Sequence, residues 1–172
     1  MASMDIFLNK LGFQPSKKSG IHISPWLFHI RLAGTNNYLC SSPDLTVSSC
    51  KNKDFYRLEY DFSDFSLSIL SVENSADNAL APYQRLQIFR KENWFKCETF
   101  TFPHHGEQKR EGEVAKFKVQ FSTGSNSAVS LHTINRRECS KYFCVYSSMY
   151  AYPGDEHNKT LLEFEPMTVP LR

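Results

Sequence analysis

His104 and His105 are the residues whose type points most directly to metal or acid–base chemistry. Zinc is held when imidazole, thiolate and carboxylate ligands recur at a narrow set of spacings. Here the two histidines are adjacent, so in extended chain they point apart. No Cys or carboxylate stands at zinc-like spacing from them. They are expected on a solvent-facing loop. His29 and His132 have no recognisable partner pattern, and Cys139 and Cys144 read as core thiols rather than nucleophiles. Glu59, Asp61 and Asp64 cluster near an expected hairpin and read as surface charges. The sequence carries no phosphate-binding loop, dinucleotide fingerprint or nucleophile elbow. These residues indicate neither an enzyme nor a bound metal or cofactor.

Charge and cysteine usage narrow the partners. The formal charge of +2 is too small for strong nucleic-acid binding, which needs many clustered phosphate contacts. The basic pairs Lys17-Lys18, Lys109-Arg110 and Arg136-Arg137 are interleaved with acidic residues and read as solvated faces. The five cysteines (Cys40, Cys50, Cys97, Cys139, Cys144) are odd in number and form no CxxC pair. A secreted disulfide framework shows an even count, so reduced thiols in the cytosol or nucleus are expected. No apolar run approaches the ~20 residues of a membrane span, and Met1 to Phe7 lacks the basic flank of a secretion signal. No membrane partner is expected.

The elements that would position any site are mostly strands. Aromatics make up 14% of the chain, with 14 Phe and 8 Tyr, and such residues favour strands. Trp26, Phe28, Ile30 and Leu32 fall on one face with His29 and Arg31 on the other; Tyr56, Leu58, Tyr60 and Phe62 alternate likewise, as do Phe117, Val119 and Phe121. Period two marks a strand with one buried face. Gly34 to Asn37 reads as a turn into a short Tyr38–Cys40 strand, and Ser63-Asp64 as the corner between Phe55–Phe62 and Phe65–Leu70. Arg85–Phe89 and Trp94–Phe102 are further expected strands, and Pro103 to Glu113 an expected mobile loop. Asp5 to Phe13 is expected to form one or two helical turns or a docked arm. Ala128 to Tyr146 has no Pro or Gly and shows a helical apolar stripe, so it is expected to be one amphipathic helix.

The predicted architecture is α+β: a pleckstrin-homology-like antiparallel β-sandwich of about seven strands closed by one C-terminal helix. It comprises an N-terminal arm (1–20), an interaction domain (21–150) and a C-terminal tail (151–172), which Leu161, Leu162, Phe164 and Met167 would dock on the core.

The stretches Lys91-Glu92-Asn93-Trp94-Phe95-Lys96 and Lys116-Phe117-Lys118-Val119-Gln120-Phe121-Ser122, followed by the expected Cys-containing helix, carry a family likeness. Over residues 55–146 the chain resembles the N-terminal domain of the meiotic Rec-one-one-four family, whose plant relatives are called poor homologous synapsis proteins. The resemblance implies a nuclear, chromosome-associated scaffold in the machinery that forms meiotic DNA double-strand breaks. It implies as partners the regulatory subunit of the topoisomerase-like complex, a helical scaffold partner and axis-associated proteins.

The function expected from this reading is a non-enzymatic protein-interaction module. Aromatic residues are favoured interface anchors, and an exposed edge strand can accept an added peptide strand. The expected partner-binding residues are Trp94, Phe100 and Phe102 as anchors, with Lys96, Lys116 and Lys118 as rim charges. Two alternatives stand beside it. A lipocalin-like barrel would bind a small apolar ligand in an internal cavity. A pleckstrin-homology domain would bind phosphoinositides, for which the first hairpin offers Arg31.

Overall fold

A computed structural model describes residues 2–14, 19–40, 46–49, 55–72, 84–85, 87–90, 100–101, 113–114, 116–122, 127–134, 141–145 and 151–167. The chain begins with helix α1 (Ala2–Lys10). Strands β1 (Ile21–Ile23), β2 (Phe28–Leu32), β3 (Asn37–Cys40), β4 (Thr46–Ser49), β5 (Phe55–Asp61) and β6 (Ser66–Val72) follow. Short strands β7 (Gln84–Arg85), β8 (Gln87–Arg90), β9 (Phe100–Thr101) and β10 (Glu113–Val114) lead to β11 (Phe117–Phe121), β12 (Val129–Thr133), β13 (Tyr142–Val145), β14 (Ala151–Gly154), a 3-10 turn (Glu156–Asn158) and β15 (Leu162–Pro166).

The fold departs from the predicted sandwich. Strands β2, β5, β6, β11, β12 and β15 pair in a ring, because β5 also pairs with β2 through Phe28 and Tyr56. The result is a closed, six-stranded antiparallel barrel. Strands β1, β3, β4, β7, β13 and β14 extend its wall, and β8 to β10 form a separate three-stranded sheet.

Among the described residues the expected closing helix is absent. Residues 129–133 and 142–145 within it are strands β12 and β13, with Val129, Leu131 and Thr133 facing inward. Val129, Leu131 and Thr133 share one buried face, and with β-branched Val and Thr among them the strand outweighs the loose helical stripe. The helix that does pack on the core is the N-terminal one. The stretch expected to be a tail supplies β15, which runs antiparallel to β2 from Leu162↔Leu32 to Pro166↔Phe28. Its Leu-Glu-Phe-Glu alternation puts Leu162 and Phe164 toward the core and Glu163 and Glu165 on the outer face.

Inward side chains fill the barrel. Tyr56, Leu58, Tyr60, Leu67, Ile69, Phe117, Leu131, Phe28 and Ile30 belong to one core cluster and are at most 2% exposed. A barrel of eight strands has an interior about wide enough for side chains alone, and six strands enclose less. Helix α1 adds Phe7, Leu8 and Leu11 to this cluster, and Phe7 packs edge-on to Phe121 and Phe164. Gly12 ends the helix at φ +88°, with Gly12 N–H bonded to Asn9 O and Phe13 N–H to Leu8 O. This is the Schellman pattern, and its usual apolar contact is supplied by Leu8 and Phe13, both buried.

Strand β2 starts two residues later than its alternation predicts, and Trp26 is 41% exposed. The reason is Ser24, which is buried. Its Oγ donates to Trp26 O and accepts from Leu58 N–H, so the backbone bends there and ties β1 to β5.

Candidate functional site

Lys116 and Lys118, expected as rim charges for a partner, are brought together on the outer face, where they brace the turn between β5 and β6. Lys116 Nζ donates to Asp64 Oδ2 at 2.8 Å and lies 3.5 Å from Asp61 Oδ2. Lys118 Nζ donates to the Asp64 carbonyl at 2.8 Å and sits 5.4 Å from the Phe65 ring centroid. Phe65 itself takes φ +56° and is 58% exposed. Asp61 Oδ1 accepts from Ser63 N–H and Ser63 Oγ, and with Lys116 nearby its carboxyl stays below the ordinary carboxylate range. Burial pushes the Asp64 carboxyl up, but hydrogen bonds from Lys116 and Ser66 outweigh it, and the net shift is also downward.

The other expected contacts lie elsewhere. Phe100 belongs to β9, which pairs with β8 in the three-stranded sheet, whereas Lys116 and Lys118 lie at β11 in the main sheet. Trp94, Lys96 and Phe102 lie outside the described residues, as do His104, His105 and most of the expected mobile loop. Arg31, the cation offered to lipid phosphates, is held between two carboxylates of β15. It donates to Glu163, and its Nε lies 2.8 Å from Glu165 Oε1 in an ion pair poorly aligned for a hydrogen bond. Tyr38 O–H donates to the same Glu165 at 3.0 Å.

A concave site forms at one end of the barrel wall. A cleft of about 780 Å³ is lined by Gln120, Phe121 and Ser122 from the end of β11, Ser130 from β12, and Glu156, His157, Lys159 and Leu161 from the segment before β15. That volume lies within the range of small-molecule sites. Phe121 and Leu161 give it apolar wall; the remaining residues are polar.

The polar groups are ordered around one oxygen. Gln120 Oε1 accepts from Ser130 Oγ at 3.2 Å and from Lys159 Nζ at 3.0 Å. Lys159 Nζ also lies 3.8 Å from Glu156 Oε1 and 5.7 Å from the Tyr142 ring centroid. Beside the cleft, His132 pairs with Lys118 on β11 and Tyr142 on β13. Burial, then the positive charge of Lys118, holds its imidazole below the ordinary histidine pKa, with Lys159 acting in the same sense and Glu156 opposing.

Ser130 donates its hydroxyl to an amide oxygen, and among the described residues no histidine accepts it as the base of a serine nucleophile would. Among the described residues no group of three or more His, Cys, Asp or Glu gathers to hold a metal ion, and no helix is long and apolar enough to cross a membrane. Sequence reasoning missed Gln120, Ser130, Lys159 and Leu161 as one site because they come from three separated stretches. The pairing of β12 with β15 through Val129 and Leu162 unites two of them, and no local motif records it. No protein-family model matches the chain, and no curated protein matches it significantly.

Proposed function

We propose that this chain is a non-enzymatic binding domain that takes a small amphipathic ligand in the cleft between the end of β11 and the segment before β15. The supporting observation is the cleft itself: about 780 Å³, apolar at Phe121 and Leu161 and hydrogen-bonding at Gln120, Ser130 and Lys159. Ligand sites characteristically combine apolar wall with a few placed polar groups. This reading keeps the barrel of the lipocalin-like alternative but moves the ligand outside, since Tyr56, Tyr60, Phe28 and Phe117 occupy the interior. The test is titration with the neutral apolar fluorophore N-phenyl-1-naphthylamine. Saturable fluorescence gain that Leu161→Asp abolishes without lowering the melting temperature is expected. Absence of saturable binding, or binding indifferent to Leu161→Asp, rejects the proposal.

A second reading, capture of an extended peptide, is favoured by β1. This strand ends the sheet order beside β5, and its Ile21 and Ile23 are 59% and 49% exposed. Peptides of partner proteins, the meiotic break-forming components included, would add along it as a further strand. The meiotic reading itself draws on the Asn93-Trp94-Phe95-Lys96 and Val119-Gln120-Phe121-Ser122 matches, without the closing helix. Ile21→Lys with Ile23→Lys is expected to weaken such capture; unchanged capture by the folded double variant removes this reading.

A further inference from the structure

Around Gln120 and Lys159 the cleft's hydrogen-bonding inventory is lopsided, and the bias is readable from a single amide. A lysine ammonium has donors and no acceptor. The Gln120 atom facing Lys159 Nζ at 3.0 Å is therefore oxygen, and the side-chain amide has one orientation. The same oxygen takes the Ser130 hydroxyl, so both its lone pairs are used. What the amide has left is its NH2 group. Lys159 has three N–H donors; one goes to Gln120, and the Glu156 carboxylate, 64% exposed, is a looser neighbour at 3.8 Å. The oxygen of this amide is thus satisfied within the protein, its NH2 group is unused among the described residues, and the Lys159 charge is met only loosely by the exposed Glu156 carboxylate.

From this we infer that the cleft selects amphipathic anions: a carboxylate or phosphate head placed against Lys159 and the Gln120 amide NH2, with a short apolar body against Phe121 and Leu161. The inference rests on the ligand-binding reading above and adds the sign of the ligand. An alcohol or an alkylammonium offers the same apolar body without an acceptor-only charged head. A head group of anionic oxygens makes charge-assisted hydrogen bonds, which are stronger than neutral ones.

The test compares four eight-carbon probes by calorimetry at low salt: octanoate, octyl phosphate, octanol and octylammonium. Octanoate or octyl phosphate is expected to bind roughly tenfold more tightly than octanol, the equivalent of one charge-assisted hydrogen bond. The two anions separate carboxylate from phosphate preference. Lys159→Met, which keeps an unbranched apolar stem, is expected to erase the tenfold advantage and leave octanol binding in place; Lys159→Arg is expected to restore most of it. Added salt should weaken the anions and leave octanol unchanged. Equal binding of octanoate and octanol, a preference for octylammonium, or an anion preference that survives Lys159→Met overturns the inference while leaving the ligand-binding reading standing. Failure of all four probes to bind overturns both.

Discussion

Lys116 Nζ lies 2.8 Å from Asp64 Oδ2, which joins the start of β11 to the turn between β5 and β6. With Lys118 on the Asp64 carbonyl, the two cations expected as rim charges hold a hairpin of their own chain. Their side chains face outward, as the alternation at Phe117 and Val119 requires, and both reach back to Asp64.

This clamp sets a pH dependence. Lys116 and Asp64 side chains are 39% and 35% exposed, so solvent screening limits the pair to roughly 0.2–1 kcal/mol. Asp61 and Asp64 both titrate lower in the folded state. Their contribution is therefore complete above the unfolded carboxylate pKa and is lost as pH falls through the lower folded values. Urea midpoints measured from pH 5 to 2 should fall less steeply for Asp61→Asn with Asp64→Asn than for the parent; parallel curves would contradict the assignment.

Phe65 and Phe117 should respond very differently to truncation. Phe65 holds φ +56°, which costs a non-glycine residue roughly 1–2 kcal/mol. Phe65→Gly relieves that strain and loses a surface cation–π contact and some chain stiffness, terms of roughly 0.5–1 kcal/mol each. Its stability is expected within about 1 kcal/mol of the parent. Phe117 is fully buried, and Phe117→Ala is expected to cost about 3–5 kcal/mol. Denaturant unfolding of the two variants checks the contrast.

Gly12 and Gly34 both have positive φ, yet their substitutions are not equivalent. A Cβ at Gly34 meets open space, so Gly34→Ala carries only the backbone term of roughly 1–2 kcal/mol. A Cβ at Gly12 would lie 2.7 Å from Pro25 Cγ and 2.8 Å from Pro25 Cδ. Gly12→Ala is expected to cost distinctly more and to loosen α1 from the core. Comparable melting temperatures for the two variants would mean that α1 is not seated as described.

His132 should make the fold sensitive to mild acid. Its folded pKa is depressed by burial and by Lys118 and Lys159, with Glu156 opposing. Between the lower folded pKa and the unfolded value of about 6.5, the unfolded chain binds the extra proton, so stability falls as pH drops through that window. His132→Gln is expected to flatten the change in melting temperature between pH 7.5 and 5.5. A slope unchanged by the substitution would assign the acid sensitivity elsewhere.

Much of the barrel was legible where alternation was uninterrupted. Phe55 to Phe62 and Lys116 to Phe121 contain β5 and β11, Phe65 to Leu70 covers all but the last two residues of β6, and Ser63-Asp64 sits in the turn between β5 and β6. The misreadings have a common cause. Val129, Leu131 and Thr133 occupy one face of a strand, but Ala128 to Tyr146 lacks Pro and Gly, so a continuous helix fitted the same apolar residues. Leu162 and Phe164 alternate with Glu163 and Glu165, yet the Pro153-Gly154 break before them makes the segment look like a tail. Closure of the ring depends on Phe28 opposite Tyr56 and on Val129 opposite Leu162, contacts between distant residues that periodicity does not encode. The cleft shares that dependence, since Gln120 and Lys159 meet only once β12 and β15 are paired.

The stave Leu162–Pro166 occupies the gap between β2 and β12. During synthesis on the ribosome, those two strands have emerged long before their shared neighbour and expose bare backbone edges in the meantime. Such edges recruit other nascent chains, so translation that stalls before Leu162 should yield aggregating product, and a chaperone able to cover the seam should matter most in that interval.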